Sequence, residues 1–127
     1  MFNAKFGWLM SYLFSRITVA IYSCFIFTVS VIPVHTPKAV SFPNADKIVH
    51  FAMYFLLSFI LVNTRLRSYK KYPRWFTFFY CFFFGFAIEC IQYFLPYRSF
   101  ELLDQAANSF GAFAGLFIII RKNKAAD

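Results

Sequence analysis

Hydrophobic residues fall into four blocks separated by short polar or proline-bearing stretches. The first runs from Ile17 to Ile32 and ends at Pro33, and an apolar-aromatic run, Phe6 to Phe14, could lengthen it backwards. The second, Ile48 to Val62, is short and gains length if it begins near Ala45. The third, Trp75 to Leu95, is bracketed by Pro73 and Pro96, and the fourth, Leu102 to Ile120, opens on Asp104, Gln105 and Asn108. A helix needs about 20 residues to cross roughly 30 Å of hydrocarbon, so the third and fourth blocks fit and the second needs its polar flank. The alternation of a barrel strand is absent, and an open sheet leaves backbone groups unsatisfied in lipid. Even Phe82-Phe83-Phe84, strand-prone in water, is expected to be helical there. The pattern predicts an all-α polytopic membrane protein, a bundle of four transmembrane helices with residues 1–127 as a single membrane domain.

Composition supports that setting. The 127-residue chain is 61% hydrophobic, 24% aromatic and only 14% charged, too apolar for a soluble domain of this size to hide. Disorder is excluded by the same figures. The net charge of +8 could suggest nucleic acid, but basic residues also collect on the cytoplasmic side of membrane spans, and that reading accounts better for where they lie. Lys5 and Arg16 precede the first block. Arg65, Arg67, Lys70, Lys71 and Arg74 separate the second and third, and Arg121, Lys122 and Lys124 follow the fourth. Only Lys38, Lys47 and Arg98 fall on the other side, so both termini are expected in the cytoplasm, with no nucleic-acid partner. Arg16 interrupts the first apolar run and no small-residue cleavage site follows Ile32, which favours a retained span over a cleaved signal peptide. Cys24, Cys81 and Cys90 form no C-x-x-C pair and have no His at metal spacing, so they read as thiols filling core or lipid-facing space.

The polar residues inside the blocks gather near the outer side. Asp46, His50 and Tyr54 are four apart and line one stripe at the start of the second helix. Glu89 and Gln92 share a face of the third, and Glu89 lies six residues before Leu95, roughly 9 Å inside its outer end. Asp104 and Asn108 open the fourth, followed by Gly111 and Gly115 at a G-x-x-x-G spacing that lets a neighbouring helix approach. A carboxylate within a span costs about 2.5–3.5 kcal/mol, so Glu89 is expected to face the bundle, with His50, Lys47, Arg98 or Asn108 as partners. Taken singly, these residues could be helix caps or interhelical glue; their convergence from three helices points to a ligand or reaction site.

The blocks Asp46-Lys47-x-x-His50-Phe51-x-x-Tyr54-x-Leu56, Glu89-x-x-Gln92-x-x-x-Pro96-x-Arg98 and Asp104-x-x-x-Asn108-x-x-Gly111-x-x-x-Gly115 resemble the VanZ-like family, small bacterial membrane proteins named after a teicoplanin-resistance protein. Each block is short; their order and spacing carry the likeness, which covers about residues 33–120. The resemblance implies a multi-pass protein of the bacterial cytoplasmic membrane, and it implies no general biochemical activity.

Two kinds of function suit these residues. The first is an outward-facing polar pocket that binds or modifies an anionic or lipid-linked cell-envelope component, with an effect on glycopeptide (teicoplanin) susceptibility as one consequence. In it His50, Glu89 and Asp104 are the candidate catalytic residues, as acid, base or metal ligands, although the set is too loose to call a metal site. Asp46, Lys47, Gln92, Arg98 and Asn108 are the candidate binding residues, with the Arg98 guanidinium and Lys47 ammonium suited to phosphate or carboxylate. No Ser or Cys sits in a nucleophile motif, and no cofactor is implied. The alternative is a non-enzymatic accessory or scaffolding subunit of an envelope complex, or a homo-oligomer; a small transporter is a weaker third, since four spans without inverted repeats make little pore wall. Enzyme and binding protein both remain open, and membrane lipids are the expected surroundings.

Overall fold

The computed structural model describes residues 7, 9, 15–33, 43–68 and 74–124, with the side chains of 65–68 and 119–124 outside the description. Within them are four helices and no strand: α1 Arg16–Val31, α2 Ala45–Ser68, α3 Trp75–Tyr93 and α4 Leu102–Lys124. The all-α expectation therefore holds for the described residues. The N-terminal extension Phe6 to Phe14, Lys5, Lys38, the Lys70–Lys71 pair and the side chains of Arg65, Arg67, Arg121, Lys122 and Lys124 fall largely or wholly outside them.

Helix ends follow local chemistry. Ser15 caps α1, its hydroxyl accepting the Thr18 N–H at 3.3 Å, which satisfies one of the donors a first turn leaves orphaned. Asn44, at φ 64°, turns the chain into α2, a left-handed conformation that Asn tolerates better than most residues. α2 runs six residues beyond Val62 through a polar stretch, in which the Asn63 amide donates to the Phe59 carbonyl at 2.7 Å. α3 stops two residues short of Leu95: the N–H groups of Phe94 and Leu95 bond three residues back, tightening the last turn before Pro96.

The helices invert the pattern of a water-soluble bundle. Large apolar side chains stand outward, among them Ile17, Ile21 and Phe25 on α1, Phe76, Phe79 and Phe83 on α3, and Phe110, Phe113 and Phe117 on α4. Polar side chains lie between helices and tie them together. Tyr22 donates to the Met53 carbonyl at 3.3 Å and Ser23 pairs with the Tyr80 hydroxyl at 3.2 Å, joining α1 to α2 and α3. Ser58 donates to the Ala112 carbonyl at 2.7 Å, and Gln105 donates to that of Phe82 at 3.2 Å. The apolar core among them is built on Ile26, Tyr54, Leu57, Cys81, Ile88 and Ala112. Cys81 is buried, Cys24 exposed and Cys90 half-buried; all three thiols are free.

α2 and α4 make the most extensive pairing in the fold. Gly111 and Gly115 lie against α2, as the G-x-x-x-G spacing predicts. Two stretches, Ala45–Thr64 and Trp75–Tyr93, are long and apolar enough to cross a membrane. α1 is apolar but only 16 residues long, and α4, with its polar first turns, is not among the spans found within the described residues.

Candidate functional site

The starts of α2 and α4, the end of α3 and the turn that joins α3 to α4 meet at one end of the bundle. They enclose a cavity of about 380 Å³ whose lining is mainly polar. Asp46, His50, Gln92, Arg98 and Asp104 line it, together with Pro96, Tyr97, Ser99 and Glu101. Lys47, Glu89 and Asn108, the other candidates from the sequence, stand in the walls rather than on the lining. A larger open groove of about 680 Å³ runs along α3 between Trp75 and Phe84, but its lining is almost wholly apolar.

Helical spacing brings each set to the cavity. His50 lies one turn beyond Asp46 on α2, and Asp104 and Asn108 are one turn apart on α4, so His50 meets both acceptors at once. His50 Nδ1 is 2.9 Å from Asn108 Oδ1, and His50 Nε2 is 3.7 Å from Asp104 Oδ2. Lys47 extends its ammonium into three carboxylates, Asp46 at 2.7 Å, Glu101 at 2.8 Å and Asp104 at 2.7 Å. That links the start of α2 to the start of α4 and commits the lysine's charge to acids of the chain. Of the two cations considered for an anionic ligand, Arg98 is therefore the more available. Its side chain makes one hydrogen bond among the described residues, a long one of 3.4 Å to the Ile32 carbonyl.

Glu89 faces the bundle and is fully buried. None of the side chains expected as its partners bonds to it; Oε2 instead accepts the Glu101 N–H at 3.2 Å, holding the α3–α4 turn. Its other oxygen, Oε1, has no hydrogen-bond partner. Gln92 is also buried, and its amide donates to the Ser30 carbonyl at 2.8 Å, near the end of α1. Tyr97 does the same for Val31 at 2.8 Å. The last carbonyls of α1, orphaned as at any helix end, thus find donors in the residues that frame the cavity.

The three candidate catalytic residues converge: His50, Glu89 and Asp104 each bring a donor atom within 4.8 Å of the other two. Such a set can exchange a proton or hold a cation. Glu101 belongs to the site in its own right, through its carboxylate on Lys47 and its N–H on Glu89. Its place in the sequence, beside the turn that carries Arg98, is the signal that could have found it.

Compared with known protein families, residues 27–123 match the family described as VanZ/LLP1. The match takes in all of α2 and α3 and nearly all of α4, with every residue of the site. No curated protein and no solved structure matches the chain.

Proposed function

Because this chain belongs to the VanZ/LLP1 family, we propose that it is a multi-pass protein of the bacterial cytoplasmic membrane whose polar pocket opens outward and binds an anionic or lipid-linked component of the cell envelope. The observation that carries this reading is the pocket itself, a cavity of about 380 Å³ with Arg98, Asp104 and His50 in one lining. A bilayer suits the outward-facing Phe and Ile side chains, since a soluble chain rarely exposes apolar surface so widely. The distribution of Lys and Arg supports both termini on the cytoplasmic side, which turns the pocket outward.

A phosphate or carboxylate held by the planar donors of Arg98 would share the cavity with His50 and Asp104, groups able to move a proton at an attacking or leaving oxygen. The reading covers binding alone as well as binding with modification. A second reading, an accessory subunit of an envelope complex, draws on the exposed stripe Phe110, Phe113 and Phe117 along α4, which could seat a partner helix as readily as lipid.

The test pairs thermal stability and expression of the parent, Arg98→Ala and Glu89→Gln with an envelope phenotype, read as glycopeptide tolerance and lipid-precursor composition. Arg98→Ala is expected to be made in full and to lose the phenotype of the parent. Stable, fully expressed variants that both behave like the parent would remove the case for a functional pocket.

A further inference from the structure

Three groups able to ligate a metal meet at the wall of the pocket, one from each of three helices. His50 of α2, Glu89 of α3 and Asp104 of α4 are exposed by only 8%, 0% and 8%, and one donor atom of each lies within 4.8 Å of the others. Hydrogen bonding within the chain does not account for the meeting. Glu89 Oε1 is buried without a partner, an expensive position for a carboxylate oxygen unless something positive faces it. His50 Nε2 and Asp104 Oδ2 stand 3.7 Å apart, too far for a hydrogen bond. That spacing is close to the roughly 3.4 Å between two donors that each lie about 2.1 Å from one tetrahedral ion.

The neighbours prepare these groups for a cation. Asn108 Oδ1 can only accept, so at 2.9 Å it takes the proton of His50 Nδ1 and leaves the Nε2 lone pair on the side of Asp104. Metal-bound histidines are typically oriented by such a bond from the other ring nitrogen. Asp104 Oδ1 is anchored by Lys47 at 2.7 Å, which leaves Oδ2 for the ion. The Glu101 N–H on Glu89 Oε2 likewise leaves Oε1 unbonded. A second acidic set, Asp46, Glu101 and Asp104, also lies close together, but the Lys47 ammonium already sits among its oxygens.

The geometry points to a binding site for a divalent first-row transition metal, of the Zn²⁺ or Mn²⁺ class, held by His50 Nε2 and one oxygen each from Glu89 and Asp104. Two carboxylates match the double charge of the ion, which makes its burial tolerable, and the imidazole favours these metals over Mg²⁺ and Ca²⁺. Three protein ligands leave a coordination position for an outside oxygen. His50 and Asp104 line the cavity, from which water or an oxyanion could complete the shell. The site goes beyond the expectation from sequence, where these three residues are too loose a set to call a metal site, and it stands whether or not the pocket takes an envelope ligand.

The experiment uses the full untagged chain, purified in detergent, treated with chelator and titrated calorimetrically with Zn²⁺, Mn²⁺ and Mg²⁺. One Zn²⁺ or Mn²⁺ per chain is expected, with Mg²⁺ at least about 100-fold weaker. Folded Glu89→Gln and Asp104→Asn should lose the site, while Asp46→Asn should keep it. X-ray absorption of the Zn²⁺-loaded parent decides the matter even if those variants fail to fold: one imidazole with oxygen donors supports the site, and a sulfur shell overturns it. Absence of Zn²⁺ and Mn²⁺ binding by the parent, parental affinity in folded Glu89→Gln, or loss confined to Asp46→Asn would each overturn it as well. Since the readout is metal on the isolated protein, failure here leaves the Arg98→Ala phenotype untouched, and the converse also holds.

Discussion

Gly111 of α4 lies against the main-chain carbonyl of Phe51 on α2, so close that a β-carbon at Gly111 would overlap the carbonyl oxygen. One turn on, a β-carbon at Gly115 would come within 2.5 Å of the Phe55 oxygen. These are backbone atoms, which cannot rotate aside as a side-chain tip can. The α2–α4 contact is thus set by two positions without side chains, and it holds His50 on one helix against Asn108 and Asp104 on the other.

Gly111→Ala and Gly115→Leu are therefore expected to destabilise the fold by roughly 1–3 kcal/mol, the usual cost of overpacking. Gly7→Ala is the comparison, since no atom of the described residues lies within 4 Å of a β-carbon there. Thermal unfolding in detergent measures all three. An unchanged melting temperature for both α4 variants would mean that the helices do not approach as closely as described.

Gln92 and Arg98 should separate by what they disturb. Gln92→Leu keeps the bulk but leaves the buried Ser30 carbonyl without its donor, at a cost of about 1–3 kcal/mol. Arg98→Ala loses only a long bond at the rim and should change stability by no more than about 0.5 kcal/mol. Melting curves of the two variants side by side decide it. Equal losses would make Arg98 a structural clamp and weaken its place as the anion-binding group.

The proposed orientation can be read by labelling single cysteines in a chain whose Cys24, Cys81 and Cys90 have been replaced. Ser99→Cys, in the turn after α3, should react with an impermeant reagent added to whole cells. Arg74→Cys, just before α3, should react only after the membrane is opened. The opposite result would place the pocket on the cytoplasmic side.

Four apolar blocks sufficed to predict four helices, and residue spacing sufficed to predict which polar side chains share a face. Asp104 and Asn108 are neighbours on α4 whatever packs against it, because a helix repeats every 3.6 residues or so. A separate argument, the cost of a carboxylate facing lipid, assigns Glu89 to the bundle interior. What spacing could not supply was the partner across each interface. Lys47 suits a carboxylate of the chain or of a ligand equally well by sequence, and it sits among three carboxylates because the turn after α3 brings Glu101 beside the start of α2. Gln92 lines the cavity, and its amide also holds the end of α1. Glu89 found a backbone N–H from Glu101 in place of any expected side chain. Those pairings depend on the rotation, depth and approach of whole helices, which the close α2–α4 contact and the α3–α4 turn decide together. A sequence records the face each residue shares with its own turn, whereas the atoms it meets on another helix exist only once the helices have packed.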